Sequence, residues 1–445
     1  MKIKMKDCEL MIYPKTVLAL MKCIEEAGYE IYLVGGCVRD TILGVTPNDY
    51  DLNTNADPAS LVSILADKYR VFQVGHQFST LVVKLPDQDV EVSTFRRRQG
   101  HTIYFDGSLE TDLACRDFTI NAMAMDSEGE LIDHHGGLED LKNRRLRSIE
   151  AEAVLKDDPL RALRAIRFMS SYRLLMDSDL VHSIHKIAQE NPVISPERKR
   201  EELFKMLLSD QPALAVRSLI QFDLINWFAF GDLIKRMDGY DQDNPFHDKT
   251  LLEHTLKVVE ETPKSIDLRL SALFHDIGKP DVRTFDEVAH YYKHEKESSK
   301  HARLALRSLK CSNQRIDTVT RLIEGHMFSP TDIGEKGLKR LLRKVGGFEN
   351  LYNLMDLMKA DILGTAFPER ASCMEDLVNM VKVLESHETA FRKKDLNISG
   401  RDLMDLGIPQ GKEIGVWMDR LLDGVIEGEL ENERCILMDY VQSKL

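Results

Sequence analysis

The stretch from Ile31 to Asn53 constrains the fold of this chain more than any other. Its first four residues are apolar and end at a glycine pair, which is typical of a short buried strand that leads into a tight turn. The residues that follow have helical spacing, so a helix would begin beside the N–H groups of Gly35 and Gly36. The sequence therefore predicts a strand–turn–helix block that can bind an anion such as a triphosphate.

Two carboxylates lie one residue apart near the end of this stretch. Asp49 and Asp51 flank Tyr50 on a predicted second short strand, and alternation along a strand points both carboxylates to the same face. Two close carboxylates repel each other unless a cation lies between them, and Mg²⁺ prefers oxygen ligands together with substrate phosphates. The pair therefore predicts a magnesium site beside the glycine turn.

Composition sets wider limits. A chain of 445 residues is long enough for about two to four domains. The formal charge of −13 argues against a protein that coats nucleic acid without selectivity, although basic clusters such as Arg96-Arg97-Arg98 permit a local basic groove. The seven cysteines form no Cys-x-x-Cys pair and follow no secretory signal, so we expect reduced thiols and a cytoplasmic location. No apolar run approaches membrane-spanning length.

The glycine pair, Arg39-Asp40 and the Asp-x-Asp pair together resemble the first signature of the nucleotidyltransferase superfamily, in particular the class II tRNA nucleotidyltransferases and bacterial poly(A) polymerases. The resemblance implies that Asp49 and Asp51 hold catalytic Mg²⁺. It implies further that Glu91, in the sequence VEVSTFR, supplies a third acidic residue near the metals. The alternative for Glu91 is a strand glutamate that faces solvent. The residues that would bind the triphosphate in this signature are Gly35, Gly36 and Arg39.

The sequence RDFTINA, from Arg116 to Ala122, resembles a second motif of the same family. There an arginine contacts the triphosphate and an aspartate accepts the ribose 2′-hydroxyl, so the resemblance assigns these roles to Arg116 and Asp117. A guanidinium fork suits phosphate, and a carboxylate suits a hydroxyl donor. The family commonly has an arginine where this chain has Cys115. This departure marks either weaker substrate binding or a subfamily.

The helical part that follows resembles the family's base-selecting motif. Asp158 and Arg161 are three residues apart, so we expect them to share one face of a single helix and to contact the Watson–Crick edge of a base. An i,i+3 surface ion pair is the alternative. Arg164 continues this basic face, and the resemblance adds Arg198, in a helix capped by Ser195, as a further nucleotide-binding position.

The segment between Arg97 and Gly107 is shorter than the corresponding loop of enzymes that add CCA to tRNA, and it lacks the proline of that loop. In the family, the longer loop is associated with the change from adding C to adding A. The short segment therefore resembles enzymes that add only CC. A compact variant that still permits A addition is the alternative, because loops vary freely in length.

A separate set of histidines and aspartates occurs in the second half of the chain, with an adjacent His-Asp pair at its centre. Their order resembles the HD superfamily of metal-dependent phosphohydrolases. The resemblance implies a site for Mn, Fe, Ni, Co or Mg that generates hydroxide to attack phosphorus, and a vestigial structural domain is the alternative. The implied core ligands are His254, His275, Asp276 and Asp361; His294 and His326 would complete a second metal or bind phosphate, and His247 is a weaker neighbour.

The predicted fold is α+β: an N-terminal nucleotidyltransferase head with a small mixed β-sheet, then an all-α neck and body with a helical HD domain. The expected domains are a catalytic head (1–147), a helical neck for nucleobase and RNA binding (148–240), an HD domain (245–370) and a helical body and tail for tRNA binding (371–445). The resemblance implies Mg²⁺-dependent, template-independent addition of CCA to the 3′ end of tRNA. CTP and ATP would be the substrates, the tRNA acceptor arm the partner, and no membrane would be involved.

Three alternatives stay open. An enzyme of the same fold could add only CC, or could polyadenylate RNA. An HD phosphohydrolase could carry the main activity, with the head as a nucleotide-binding module. A non-enzymatic RNA-binding protein would not need the acidic pair beside the glycines.

Overall fold

The computed structural model describes residues 2–4, 13–74, 79–99, 102–331, 333–386 and 390–445. They form two compact units, Met1–Ile194 and Ser195–Leu445. The predicted α+β fold is confirmed, since the first unit contains a mixed sheet and the second is mostly helical. The boundary between the units lies inside the predicted neck (148–240), and the finer four-part division stays a prediction. Among the described residues, no helix combines the length and the apolar composition needed to span a membrane.

An eight-stranded mixed sheet forms the centre of the first unit. The strands of this unit are β1 (Lys2–Lys4), β2 (Ile31–Val34), β3 (Tyr50–Thr54), β4 (Arg70–Val74), β5 (Thr80–Lys84), β6 (Asp89–Thr94), β7 (Arg97–Gln99), β8 (Thr102–Tyr104), β9 (Met123–Met125), β10 (Glu130–Asp133), β11 (Arg145–Leu146) and β12 (Leu175–Met176). The sheet order is β1-β10-β9-β2-β3-β6-β5-β4, and β3 and β6 are its parallel neighbours. Strands β7 and β8 pair separately, as do β11 and β12.

The described residues of the first unit form eight α-helices, and three of them (α3, α4 and α8) begin with a side-chain cap. The Asp57 carboxylate accepts hydrogen bonds from the N–H groups of Ala59 and Ser60 and so caps the start of the third helix. The first helix begins at Lys15. The helices are α1 (Lys15–Glu26), α2 (Gly36–Ile42), α3 (Pro58–Leu65), α4 (Leu109–Ala114), α5 (Gly137–Lys142), α6 (Ala151–Asp157), α7 (Leu160–Tyr172) and α8 (Ser178–Gln189).

In the described part of the second unit, the regular structure is helical except for one hairpin. Strands β13 (Thr284–Asp286) and β14 (Val288–His290) pair through a turn at Glu287, which has φ 55°, so the expected all-helical pattern is interrupted there. The helices are α9 (Pro196–Leu207), α10 (Pro212–Gln221), α11 (Gly231–Lys235), α12 (Leu251–Glu261), α13 (Ile266–Phe274), α14 (Lys279–Val282), α15 (His294–Ser308), α16 (Asn313–Gly325), α17 (Glu335–Val345), α18 (Phe348–Gly364), α19 (Cys373–Ser386), α20 (Gly400–Asp405), α21 (Lys412–Ile426) and α22 (Arg434–Gln442).

The C-terminal helices of the second unit share an apolar core. Leu403 of α20, Leu421 of α21 and Leu437 of α22 are all fully buried in one cluster. Burial of a leucine side chain stabilises a fold by about 2 kcal/mol, so this segment is held by packing of its own.

Candidate functional site

The acidic pair lies at the start of the third strand of the first unit. Tyr50 is buried, whereas Asp49 and Asp51 on either side of it are exposed, so the predicted alternation is confirmed. Glu91 of β6 stands opposite Asp51 in the parallel register of β3 and β6. The carboxylate oxygens of Asp49, Asp51 and Glu91 are not all close enough to one another to form a compact metal-binding triad. Among the described residues, such triads occur only in the second unit.

Electrostatics link these three carboxylates. Desolvation raises the pKa of Asp51 and Asp49 adds to the rise, while Arg116, Arg96 and Arg164 oppose it. The pKa of Glu91 is raised first by desolvation, and then by Asp51 and Asp49. Mutual repulsion of this kind is relieved by a bound cation, so the residues fit a hard divalent ion held by the aspartates and substrate oxygens.

The first glycine of the turn is engaged within the sheet, and the predicted contact of Gly36 with a triphosphate stays a prediction. The N–H of Gly35 donates to the carbonyl of Met123 at 3.2 Å, so it does not contribute to an anion cradle. Gly35 has φ 77°, and a Cβ there would lie 2.4 Å from Nη1 of Arg116. The missing side chain therefore makes room for the guanidinium of Arg116, and Gly36 begins α2 directly after it.

Asp112 is a buried junction that the sequence analysis missed. Its carboxylate accepts Nδ2 of Asn53 at 2.7 Å, Nε of Arg96 at 2.9 Å and Nη2 of Arg116 at 3.4 Å. Burial would raise the pKa of Asp112, but Arg96 and Arg116 outweigh it and lower the pKa. The signal in the sequence was an aspartate within a short helix that Ser108 caps. A carboxylate that is buried at such a position needs cationic partners.

Arg116 keeps unused donor capacity. Its Nε is buried and has no hydrogen-bond partner, although its Nη2 contacts Asp112. A buried guanidinium N–H without an acceptor is costly, and a phosphate oxygen would satisfy it. The prediction that Arg116 contacts the triphosphate is compatible with this geometry.

Asp117 is almost fully buried and heavily hydrogen-bonded. Its Oδ1 accepts the N–H of Phe118 and Nδ2 of Asn121, both at 2.9 Å, and its Oδ2 accepts Nε of Arg164 at 2.7 Å and Nη2 of Arg164 at 2.5 Å. Burial would raise the pKa of Asp117, but Arg164 and Asn121 lower it. Four donors match the acceptor sites of a carboxylate, so a ribose hydroxyl would replace or share one of them. Its ribose role stays a prediction.

Asp158 and Arg161 do not belong to one helix, contrary to the expectation. Helix α6 ends at Asp157, Asp158 has extended backbone with φ −142°, and Arg161 lies in the first turn of α7. Pro159 is the cause, because proline disfavours helical backbone at the residue before it. The two residues still interact, since desolvation lowers the pKa of Arg161 while Asp117 and Asp158 raise it. The Nη2 of Arg161 also donates to the Cys115 carbonyl at 3.3 Å.

The short segment from Arg97 to Gly107 contains the β7–β8 hairpin. Arg97 forms two hydrogen bonds with Asp106 at 2.6 and 3.0 Å and lies 4.4 Å from the centre of the Tyr104 ring. Positions 100 and 101 of this segment lie outside the described residues. Arg198 belongs to the second unit, where its N–H donates to Ser195, and its contact with a nucleotide stays a prediction.

The second unit brings the predicted histidines and aspartates together in its interior. His254, His275 and Asp276 form one compact triad, and Asp276, His294 and His326 form another. The Oδ2 of Asp276 lies 3.2 Å from His275, and its Oδ1 lies 3.1 Å from His294, so one carboxylate serves both triads. The Oδ1 of Asp361 lies 3.1 Å from His254.

The four histidines of these triads share one ring orientation, with Nδ1 directed at a backbone carbonyl and Nε2 directed into the cluster. Their Nδ1 atoms contact the backbone carbonyls of Gly364, Ala272, Tyr291 and Ile323 at 2.6–3.2 Å. A carbonyl only accepts, so in the neutral form of each ring the proton lies on Nδ1 and Nε2 presents a lone pair. The Nε2 atoms then face each other at 3.3 Å in two pairs, His254 with His275 and His294 with His326. Opposed lone pairs favour a cation between them.

Charge in this cluster is already partly balanced by protein groups. Burial lowers the pKa of His326 to about 3, with His275 and His294 adding to the effect, so this imidazole is a neutral ligand at pH 7. Burial would also lower the pKa of His275, but Asp276 and Asp361 raise it. Lys279, which the sequence analysis did not select, lies 2.7 Å from Asp276 and 2.9 Å from Gln242.

Comparison with known proteins agrees with the geometry of both units. Residues 31–147 match the Poly A polymerase head domain. Residues 292–441 match tRNA nucleotidyltransferase domain 2, and residues 174–229 match the family "Probable RNA and SrmB- binding site of polymerase A".

The chain is similar to poly(A) polymerases and tRNA nucleotidyltransferases in these matched domains. It is therefore a nucleotidyltransferase, as predicted. It is 28% identical to the CCA-adding enzyme of Lactobacillus johnsonii over 434 residues, which is 95% of this chain and 96% of that protein. It is 38% identical to the CC-adding tRNA nucleotidyltransferase of Halalkalibacterium halodurans over 194 residues, which is 44% of this chain and 48% of that protein.

Among solved structures, the chain resembles the CCA-adding enzyme of Bacillus stearothermophilus in complex with CTP. The TM-score is 0.73 at 26% sequence identity, with 97% of each chain covered. The chain and that enzyme thus share one fold along almost their whole lengths.

Proposed function

We propose that this chain adds C, C and A to the 3′ end of tRNA, using CTP and ATP as substrates and no nucleic-acid template. The observation that carries the proposal is the acidic group of the first unit, in which Asp51 stands opposite Glu91 on paired parallel strands and Asp49 raises the pKa of Asp51 from just before the strand. The similarity to CCA-adding enzymes along almost the whole chain supports the choice of tRNA as acceptor.

The roles of the side chains follow from their chemistry. Asp49 and Asp51 would hold Mg²⁺, which supplies a Lewis acid for the attacking hydroxyl and for the departing pyrophosphate. Arg116, with its unpartnered Nε next to the glycine turn, donates to the triphosphate. Glu91 strengthens the negative field in which the cation is bound.

Base selection falls to Asp158 and Arg161. Arg161 lies at the start of α7 and loses solvent there, which strengthens any hydrogen bond that its guanidinium makes with a base edge. Asp158 offers a carboxylate acceptor three residues earlier, on extended backbone that is free of the helix geometry. An acceptor and a donor side by side can read the Watson–Crick edge of C or A.

Product length on one substrate tests this proposal. A tRNA that lacks its 3′ CCA is incubated with purified protein and CTP alone, ATP alone, or both nucleotides. CCA addition predicts two added residues with CTP alone and three with both. Two residues with both nucleotides would identify a CC-adding enzyme, and a long tail with ATP alone would identify a poly(A) polymerase.

We propose a second activity for the second unit, metal-dependent hydrolysis of a phosphate ester. The opposed Nε2 atoms of His254 and His275, and of His294 and His326, are the observation that supports a metal at each pair. Imidazole with carboxylate ligands suits a first-row transition metal, which would supply a bound hydroxide as nucleophile. Asp276 and Asp361 would complete the ligand sets, and Lys279 would hold Asp276 in place.

Metal content and hydrolysis together test this second activity. Protein loaded with Mn²⁺ or Ni²⁺ is desalted and its metal measured by mass spectrometry, and hydrolysis of a nucleoside 2′,3′-cyclic phosphate is followed separately. We expect His326→Ala to lose the metal at the His294–His326 pair together with the hydrolysis, whereas the exposed His182→Ala control keeps the full metal content and the hydrolysis. Wild-type protein that retains no metal after desalting would refute the proposal.

A further inference from the structure

We propose that Arg39 is a positioning residue that acts through Asn121 on Asp117, and thereby sets the preference for ribonucleotides over deoxyribonucleotides. The inference rests on the proposed function and on the predicted contact between Asp117 and the nucleotide ribose. In this proposal Arg39 acts on the nucleotide indirectly and does not itself bind the triphosphate, which is the role that the family resemblance implies.

The surroundings of Arg39 leave its guanidinium little access to a phosphate. The residue is 6% exposed, and its Nε and Nη2 donate to Asp40 at 2.9 and 2.7 Å. The guanidinium carbon lies 4.6 Å from the centre of the Tyr172 ring and 5.1 Å from that of the Phe168 ring. Rings and carboxylate thus fix its plane, since a guanidinium is rigid and its pairs with π-faces are attractive.

The remaining contact of Arg39 points towards Asp117. Its Nη1 donates to Oδ1 of Asn121 at 2.6 Å, and Nδ2 of Asn121 donates to Oδ1 of Asp117 at 2.9 Å. A guanidinium only donates and an ionised carboxylate only accepts, so the amide of Asn121 has one permitted orientation. Arg39 therefore decides which end of the amide faces Asp117.

The contact with Asn121 also affects the second oxygen of the Asp117 carboxylate, Oδ2. With Oδ1 held by Asn121, Oδ2 is turned to Arg164 and binds it through two donors. Arg164 is also close enough to Asp51 to lower the pKa of that group. The relay thus runs from Arg39 through Asn121 and Asp117 to a guanidinium that borders the acidic site, and it orients the carboxylate and the guanidinium that meet the nucleotide.

Equilibrium binding of CTP and dCTP to the full-length protein in Mg²⁺ tests the relay without any need for turnover. We expect wild type to bind CTP more tightly than dCTP, and Arg39→Lys and Asn121→Asp to reduce this ratio about three- to tenfold, chiefly by weakening CTP. Asn121→Asp keeps an acceptor for Arg39 but puts a carboxylate against Asp117, so it breaks the relay at one point. The exposed Asn143→Asp is the matched control and should leave the ratio unchanged.

Outcomes separate the relay from its rivals. Equal loss of CTP and dCTP affinity in Arg39→Lys would identify Arg39 as a phosphate ligand and overturn the proposal. A lower melting temperature with an unchanged ratio would show a structural role only, and would also overturn it. Wild-type protein that discriminates CTP from dCTP but adds nothing to tRNA would refute the proposed function and leave the relay standing, whereas wild type without discrimination would refute the relay.

Discussion

The acidic site of the first unit and the histidine-rich site of the second unit both suit a cation, but they differ in exposure and in charge balance. Asp51 is exposed and its pKa is raised by desolvation and by Asp49. Asp276 is 2% exposed, yet its pKa is held well below the ordinary range, because His275 and Lys279 outweigh the effect of burial. An open group of oxygens with uncompensated repulsion suits an ion that arrives with a substrate. A buried set of imidazoles and balanced carboxylates suits a resident metal.

The largest effect is expected from a substitution in the acidic site of the first unit. Asp51→Asn should lower nucleotide incorporation into tRNA by about 10³-fold or more, because a ligand to the catalytic cation is lost. Initial rates with CTP measure the effect. The exposed Asp89→Asn on the neighbouring strand β6 is the control and should keep the wild-type rate. If Asp51→Asn also removed the metal from the second unit, the two sites would not be independent.

A buried acid of the first unit should behave like Asp276 rather than like Asp51. Asp112→Asn leaves Arg96 and Arg116 without a counter-charge, and breaking a buried pair costs about 3 kcal/mol. The lowered pKa of Asp112 means that its stabilisation is present above the ordinary value near 3.9 and is lost as the pH falls through the lowered pKa.

Denaturant unfolding between pH 7 and pH 3 checks this prediction. The gap between wild type and Asp112→Asn should be constant from pH 7 to 5 and should narrow below about pH 4. Glu110→Gln, an exposed change in the same helix α4, should alter stability by less than about 0.5 kcal/mol. A gap that widens in acid would show that the burial of Asp112, and not its arginine partners, dominates.

The next prediction concerns the metal affinity of the buried, histidine-rich site of the second unit. His294→Ala should weaken binding of Mn²⁺ or Ni²⁺ by about 100-fold or more, since loss of a supporting partner alone costs up to about that much. Titration calorimetry on metal-free protein measures the affinity, and incorporation of CTP should stay at the wild-type rate. Unchanged affinity would mean that the second triad binds no metal.

The smallest expected effect concerns repulsion at the open site. The raised pKa of Asp51 means that its stabilising contribution is present at low pH and is lost as the pH rises through that raised value. Without divalent cations, Asp51→Asn should therefore be more stable than wild type at pH 8, by less than about 1 kcal/mol after solvent screening, and the difference should shrink as the pH is lowered to 4, near the ordinary pKa of an aspartate. Added Mg²⁺ should stabilise wild type and reverse the order. Melting temperatures at both pH values provide the test.

Local periodicity accounts for what could be predicted at the site. The strand at Ile31–Val34 follows from a short apolar run that ends at a glycine pair, and the outward pair Asp49 and Asp51 follows from the two-residue repeat of an extended chain. The helix break at Asp158 was also readable, because Pro159 follows it directly, and the expectation of one helix was wrong for neglecting that signal. The HD metal site and the roles of Arg116 and Asp117 stay predictions of the motifs.

By itself, then, the sequence determined the elements, the acidic pair and the candidate histidines, since these depend on spacings of a few residues. Only the tertiary structure decided that Glu91 stands opposite Asp51, that Gly35 makes room for Arg116, and which way four separated imidazole rings face. Such contacts join positions tens of residues apart. These contacts depend on how a whole unit buries its side chains and balances its charges, which a pattern of a few neighbouring residues does not specify.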